Sequence, residues 1–225
     1  MIIVHHLENS RSQRILWLLE ELELEYDIKL YKRDPVTSLA PQSLIDVHPL
    51  GKSPVITDGD ITVAESGAII EYLVAKHGGG KLQASGEQAQ RDYTYYMHYA
   101  EGTMMPYLIV SLLLSRIDAA KVPFFVKPIA KGITGKVRES YLLPNLKRNL
   151  DFLEAALDGR EWFTGNDLTG ADVQMGFVLE GLGATGRLDN HPRLKALLQR
   201  CHDRPAYQRA LERGGPFKLG LANKD

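Results

Sequence analysis

Hydrophobic and polar positions along the first third of the chain switch repeatedly between two spacings. The opening MIIVHH is a short apolar run and predicts a strand. RSQRILWLLEELEL follows, with Ile15, Leu16, Leu18, Leu19 and Leu22 at helical spacing and glutamates on the other face. YDIKLYK alternates apolar and polar residues, as a half-buried strand does. PQSLIDVH predicts a short helix. SPVIT and ITVA flank DGD and predict a hairpin with its turn at Asp58-Gly59. ESGAIIEYLVAKH then reads as a helix that stops at the glycines of residues 78–80. A strand–helix–strand unit followed by a helix, a hairpin and a last helix builds a small α/β sandwich with a mixed sheet.

Beyond this point the strand signal disappears. Residues 78–88, GGGKLQASGEQ, are rich in glycine and polar side chains. QRDYTYYMHYAEGTMMPYLIVSLLLSRI is a long helical pattern with an expected kink at Pro106. GKVRESYLLPNLKRNLDFLEAALDG, ADVQMGFVLEGL, HPRLKALLQRCHDR and PAYQRALERG are further helices. The expected division is an α/β domain over 1–78, a linker over 79–88 and an all-helical domain over 89–225. LTGAD places Thr169 as a helix N-cap and Asp172 three residues on, a capping box with Asp in place of Glu or Gln. Leu168 and Val173 complete it as a hydrophobic staple. This motif is structural.

Composition narrows the classes. With 225 residues, 44% of them hydrophobic, the chain can bury one large core or two smaller ones. A net charge of −1 without a basic stripe argues against a nucleic-acid partner. The N-terminus lacks the basic and apolar regions of a signal peptide. The densest apolar run, MMPYLIVSLLLS, falls short of the roughly eighteen residues a membrane span needs. Cys201, the one cysteine, cannot form an internal disulfide, which fits a reducing cytosol; it is expected to be a small buried residue. The seven histidines form no HExxH or Cys/His pattern, so no metal site is expected. His5 and His6 lie in a strand and face opposite sides.

Three stretches carry candidate chemistry. Ser10 and Gln13 form an S-x-x-Q capping box, yet a serine at a strand-to-helix junction also offers a hydroxyl donor. Glu65 and Ser66 open a helix whose free N–H groups favour an anion. Ser66 there suits a carboxylate and Glu65 an ammonium, together the α-amino-acid end of a ligand; alternatively they only cap the helix. In GKSPV, a proline at a strand start fits a sheet edge or a cis turn. A cis Pro54 turns the Ser53 backbone outward, where an extended peptide can pair with it and Lys52 can meet a terminal carboxylate. Taken alone, Lys52 reads as a solvated surface lysine.

NSRSQRILWLLEEL, HPLGKSPVI and AESGAIIEYL, in this order and spacing, resemble the cytosolic glutathione transferase family. The resemblance extends over nearly the whole chain, through LTGAD, and HYAEGTMMPYL and RPAYQRALERGG look most like a bacterial and fungal branch. It implies a thioredoxin-like first domain that binds glutathione as co-substrate, with no metal. Glu65 and Ser66 match the γ-glutamyl binders. Ser53, before the expected cis-Pro54, matches the partner of the ligand's cysteine, and Lys52 a position near its glycyl carboxylate. Ser10 matches the serine that contacts the thiol, with Asn9, Arg11 and Ser12 near enough to share or replace that role. Where thioredoxin-like redox enzymes place a cysteine, this chain has SRSQ, so no mixed disulfide can form at that point. No tyrosine lies in that loop either.

The implied activity is conjugation of glutathione to an apolar small-molecule electrophile, with detoxification as the implied role. Met104, Met105, Tyr107, Leu108, Phe124 and Phe125 are candidate walls of the electrophile site; alternatively most of them are helical core. The two phenylalanines of VPFFVKP, between prolines, cannot easily both be buried. A homodimer and a cytoplasmic location are implied as well. Peroxide reduction by the same thiolate, or glutathione binding without transfer, are the alternatives.

Overall fold

The computed structural model describes residues 1–215. Residues 216–225 of the expected helical domain lie outside the described residues. The first unit runs β1 (Ile2–Leu7), α1 (Gln13–Glu21), β2 (Tyr26–Tyr31), α2 (Gln42–Ile45), β3 (Val55–Asp58), β4 (Ile61–Ala64) and α3 (Ser66–His77). The sheet order is β2-β1-β3-β4. β1 pairs with β2 in parallel, across the α1 crossover, and with β3 antiparallel. As a central strand β1 is buried along nearly its whole length, which is why its sequence is an apolar run rather than an alternation. The hairpin places Asp58 opposite Ile61, so its loop is Gly59-Asp60, one residue later than expected, with Gly59 at φ +61°.

His5 and His6 point to opposite faces as anticipated. His5 Nδ1 lies 2.9 Å from the Tyr31 hydroxyl, on the face away from α1. His6 reaches Ser12 and the carbonyl of Gly214.

The remaining described residues form helices: α4 (Glu87–Tyr99), α5 (Met105–Ala119), α6 (Lys127–Val137), α7 (Leu143–Ala156), α8 (Gly170–Gly183), α9 (Pro192–His202) and α10 (Pro205–Gly214). The expected kink is a π-helical turn, Ala100–Met104, between α4 and α5. Pro106 has no N–H to give to the carbonyl of Gly102, and the widened turn accommodates that loss. A second π turn, Arg138–Leu142, precedes Pro144 and divides a stretch that reads as one helix in the sequence.

One core joins the two parts. Trp17 of α1 meets Tyr207 of α10 edge to face at 5.3 Å between ring centroids. Gly176 of α8 lets the Trp17 ring approach so closely that an added Cβ would lie 2.8 Å from it. The segment after α3 is pinned too, since the Leu82 carbonyl accepts the Gly170 N–H at 2.9 Å.

The capping box at α8 forms as the sequence indicates. Asp172 Oδ2 accepts the Thr169 N–H at 2.9 Å and the Thr169 hydroxyl at 2.8 Å, and its Oδ1 accepts the Phe163 N–H at 2.8 Å. Cys201 is buried, and burial pushes its thiol pKa up, away from reactivity.

The corresponding box at α1 does not form. Ser12, not Ser10, occupies the N-cap position, and no side chain caps the helix. Gln13 instead gives its amide N–H to the Ala210 carbonyl at 3.1 Å. Tertiary contact with α10 outcompetes the local motif.

Candidate functional site

The loop after β1, the loop before β3 and the start of α3 meet at one end of the sheet. Lys52, Ser53, Pro54, Glu65 and Ser66 all line a single cavity of about 260 Å³ there, with His48, Arg11 and Glu101 on its other walls. The Ser53-Pro54 peptide is cis, and Ser53 makes no backbone–backbone hydrogen bond among the described residues. Glu65 is exposed and sits at φ +71°, a region costly for a side chain with a Cβ. Its side chain makes no cap bond, so it is free to face a ligand. Ser66 is buried at the first turn of α3, whose leading N–H groups point into an electropositive helix end. His48 adds a buried Nδ1 with no hydrogen-bond partner among the described residues.

Ser10 lines neither this cavity nor the one beyond it; it lies behind Ser53 and is 7% exposed. Its surroundings fix the direction of its hydroxyl. His6 Nε2 is 3.1 Å from the Gly214 carbonyl oxygen, which can only accept, so Nε2 carries the hydrogen. Burial lowers the His6 pKa, with the Gly214 bond acting against it, and the ring is neutral at pH 7. Nδ1 therefore accepts from Ser12 Oγ at 2.7 Å. That commits the one hydroxyl hydrogen of Ser12, so Ser10, 2.7 Å away, is the donor in the next bond. Ser53 Oγ, 3.3 Å from Ser10 Oγ, donates to the His5 carbonyl and accepts the Leu7 N–H. Without a ligand, the Ser10 hydrogen faces two acceptors, Ser12 Oγ at 2.7 Å and Ser53 Oγ at 3.3 Å, with Ser12 the nearer.

A second cavity of about 390 Å³ adjoins the first through Arg11 and Ile109, which line both. Met105, Leu108, Leu112 and Phe177 give it apolar walls, and Asn9 is among its polar lining residues. Of the expected electrophile-site residues, Met105 and Leu108 are among its walls. Met104 is fully buried in the core, while the next residue, Met105, lines the cavity. Tyr107 packs toward Tyr141, 6.0 Å between ring centroids. Phe124 is 86% exposed and Phe125 63%, so neither is buried and neither reaches the cavity.

Arg14 and Glu101 escape sequence reasoning. Arg14 is buried; it donates to Gln174 Oε1 at 2.6 Å, lies 2.9 Å from Glu101 and stacks 4.7 Å from the Phe177 ring centre. Desolvation pushes its pKa down to about 10, with the Glu101 carboxylate acting against that, so it stays charged at pH 7. Arg11 holds the same carboxylate at 3.1 Å. One acidic side chain on the inner wall thus has two cationic partners. The legible signal was a charged residue, Arg14, inside the apolar stretch of α1.

Among the described residues no helix is long and apolar enough to cross a membrane. Comparison with known proteins gives consistent matches. Residues 1–75 match the family model "Glutathione S-transferase, N-terminal domain", and residues 123–213 match "Glutathione S-transferase, C-terminal domain". Glutathione S-transferase 3 of Schizosaccharomyces pombe is 36% identical over 216 residues, covering 95% of this chain and 88% of that one. The crystal structure of a glutathione S-transferase from Actinobacillus pleuropneumoniae superposes with a TM-score of 0.74 at 31% identity, covering 100% of this chain and 98% of that one. A family member from Pseudomonas fluorescens, solved with two glutathione bound, gives a TM-score of 0.72 at 25% identity over 94% of this chain and 92% of that one.

Proposed function

The chain belongs to the glutathione S-transferase family, and we propose that it binds glutathione in the cavity framed by Lys52, Ser53, Glu65 and Ser66, activates its thiol beside Ser10, and transfers it to an electrophile in the adjoining apolar cavity. The convergence of those side chains from separate loops on one cavity carries this reading. Glu65 holds the γ-glutamyl ammonium, and Ser66 with the α3 N-terminus holds its carboxylate. The ligand's cysteine pairs with the unpaired backbone of Ser53 beside Pro54, and Lys52 faces the glycyl carboxylate.

The thiol then lies toward Ser10. A free thiol has a pKa near 8.5. Each unit by which the site lowers it takes about 1.4 kcal/mol of preference for the anion. The Ser10 hydroxyl can turn from Ser12 to the sulfur at little net cost. A neutral hydrogen bond contributes about 0.5–1.5 kcal/mol, and one to a charged group about 1.5–3 kcal/mol. Turning is favourable only once the sulfur is ionised, so Ser10 favours thiolate over thiol. The charged guanidinium of Arg11, at the junction of the two cavities, adds to that preference. The thiolate attacks the electrophile from the sulfur side of the junction. We extend the reading to an apolar electrophile, a homodimer, a cytoplasmic location and a role in detoxification, all of which follow the family resemblance.

Replacing Ser10 with alanine is expected to lower kcat for conjugation of a chloronitroarene about tenfold, while the KM for glutathione changes less than about twofold. Unchanged kcat in this variant would move the thiol contact to Asn9 or Arg11.

A further inference from the structure

The second cavity is apolar along α5 and α8, yet its rim is cationic. Arg33, after β2, and Arg116, near the end of α5, both line it. Arg187 stands behind it and gives a hydrogen bond to Ser111, another lining residue, at 3.2 Å. None of these three guanidinium groups takes part in an ion pair among the described residues. The nearby carboxylates are engaged elsewhere. Glu101 is held by Arg11 and Arg14, and Asp118 lies 2.7 Å from Arg138. Glu8 accepts the backbone N–H of Arg33 at 2.9 Å and makes no close contact with its guanidinium. Arg33 donates its Nη1 hydrogen to the Ser38 carbonyl at 3.1 Å, a neutral partner. Burial depresses the Arg33 pKa; the attraction of Glu8 opposes this, and the smaller repulsion of Arg116 lowers it further. Arg187 is depressed by burial and by Arg138, and its Nε is buried without a partner.

Arg33 and Arg116 line an apolar cavity and form no ion pair among the described residues, so their donors are available to a bound molecule. Guanidinium groups suit carboxylates because they donate two parallel hydrogen bonds. A plain hydrocarbon electrophile leaves those donors unused. We propose that the electrophilic substrate is an apolar molecule bearing an anionic group, such as a carboxylate, and that Arg33 and Arg116 bind this group while Met105, Leu108 and Phe177 hold the apolar body. This rests on the transferase reading above and adds the substrate class to it.

A chloronitrobenzoate and its neutral carboxamide test the proposal as a matched pair. In both, the thiolate attacks the ring carbon that carries chlorine. The C–S bond forms, chloride leaves with the C–Cl electron pair, and the thiol proton passes to solvent. The carboxylate substrate is intrinsically similar in shape, so the enzyme's preference is read as the ratio of the two kcat/KM values, each corrected for its uncatalysed rate. Wild-type protein is expected to favour the carboxylate about tenfold. In the Arg33→Gln/Arg116→Gln double variant the ratio is expected to fall to about one. Affinities of the two product conjugates, measured by calorimetry, are expected to show the same ratio without turnover. A wild-type ratio at or below one overturns the proposal, as does a tenfold ratio that survives in the double variant. If both rates fall equally in the variant, the guanidinium groups act on the thiolate rather than on the substrate, which also overturns it. Glutathione binding without turnover of either compound, and with no difference between the conjugates, overturns the transferase reading and this inference together.

Discussion

Glu65→Ala is expected to weaken glutathione binding roughly 10- to 100-fold, the loss that follows when a charged hydrogen-bond partner is removed. Titration calorimetry measures this directly. The expectation comes from position. Glu65 is exposed, forms no cap bond and is held at φ +71° at the cavity edge, so its side chain has no structural partner to lose. Thermal unfolding of the ligand-free variant is therefore expected to match wild type within about 0.5 kcal/mol, the range of ordinary surface changes. Full affinity in Glu65→Ala would remove the γ-glutamyl assignment. Reduced stability with full affinity would make Glu65 a structural residue.

Asp172→Ala is expected to be the most destabilising single change considered, at about 3 kcal/mol. Asp172 accepts the N–H groups of Phe163 and Thr169 and the Thr169 hydroxyl, all in the core between the loop and α8. Alanine leaves two buried N–H donors without acceptors, at about 1–3 kcal/mol each. Removal of a buried charge offsets part of this. At about 2–4 °C per kcal/mol for a chain of this size, the expected fall in Tm is about 6–12 °C, read by calorimetry. Asp172→Asn keeps one acceptor and is expected to lose less.

The same residue gives a pH signature. Burial pushes the Asp172 pKa up from 3.8 to about 6, against the pull of its hydrogen bonds. Between these values the folded state holds a proton that the unfolded state has released. The contribution of this group to stability is thus fully present below pH 3.8 and is lost as pH rises through about 6. The Asn variant is expected to lack this component of the pH dependence.

Much of the fold was legible because local pattern and tertiary packing agree. The helical spacing in α1 and α3 and the Thr169–Asp172 box each describe what the structure forms; β2 forms as a strand, but its alternation fails at the end, where Leu30 is exposed and Tyr31 buried. The misreadings occur where one residue interrupts a continuous pattern. A π turn before Pro144 divides a helix whose apolar periodicity runs through it, and at the π turn before Pro106 Met104 lies in the core while Met105 lines the cavity. Periodicity assumes a constant turn, and a π turn breaks that assumption.

The candidate site shows the same division. Lys52, Ser53, Glu65 and Ser66 were found because each lies in a short local motif with its own chemistry. Glu101 and Arg14 were missed because their pairing joins α1 to a distant turn, and His48 because only the fold brings it to the cavity wall. Ser10 lies between these cases. Its position in sequence suggested both a cap and a thiol donor. The structure removes the cap, and the hydrogen bonds from Gly214 through His6 and Ser12 decide where its hydrogen rests before glutathione arrives.

A crystal structure of the protein with glutathione tests the central claim most directly. The account predicts the γ-glutamyl ammonium within hydrogen-bond distance of the Glu65 carboxylate, the cysteine backbone paired with Ser53, and the sulfur closer to Ser10 Oγ than to Asn9 or Arg11. Glutathione bound outside the cavity of Lys52, Glu65 and Ser66, or seated there with its sulfur turned away from Ser10, would contradict it.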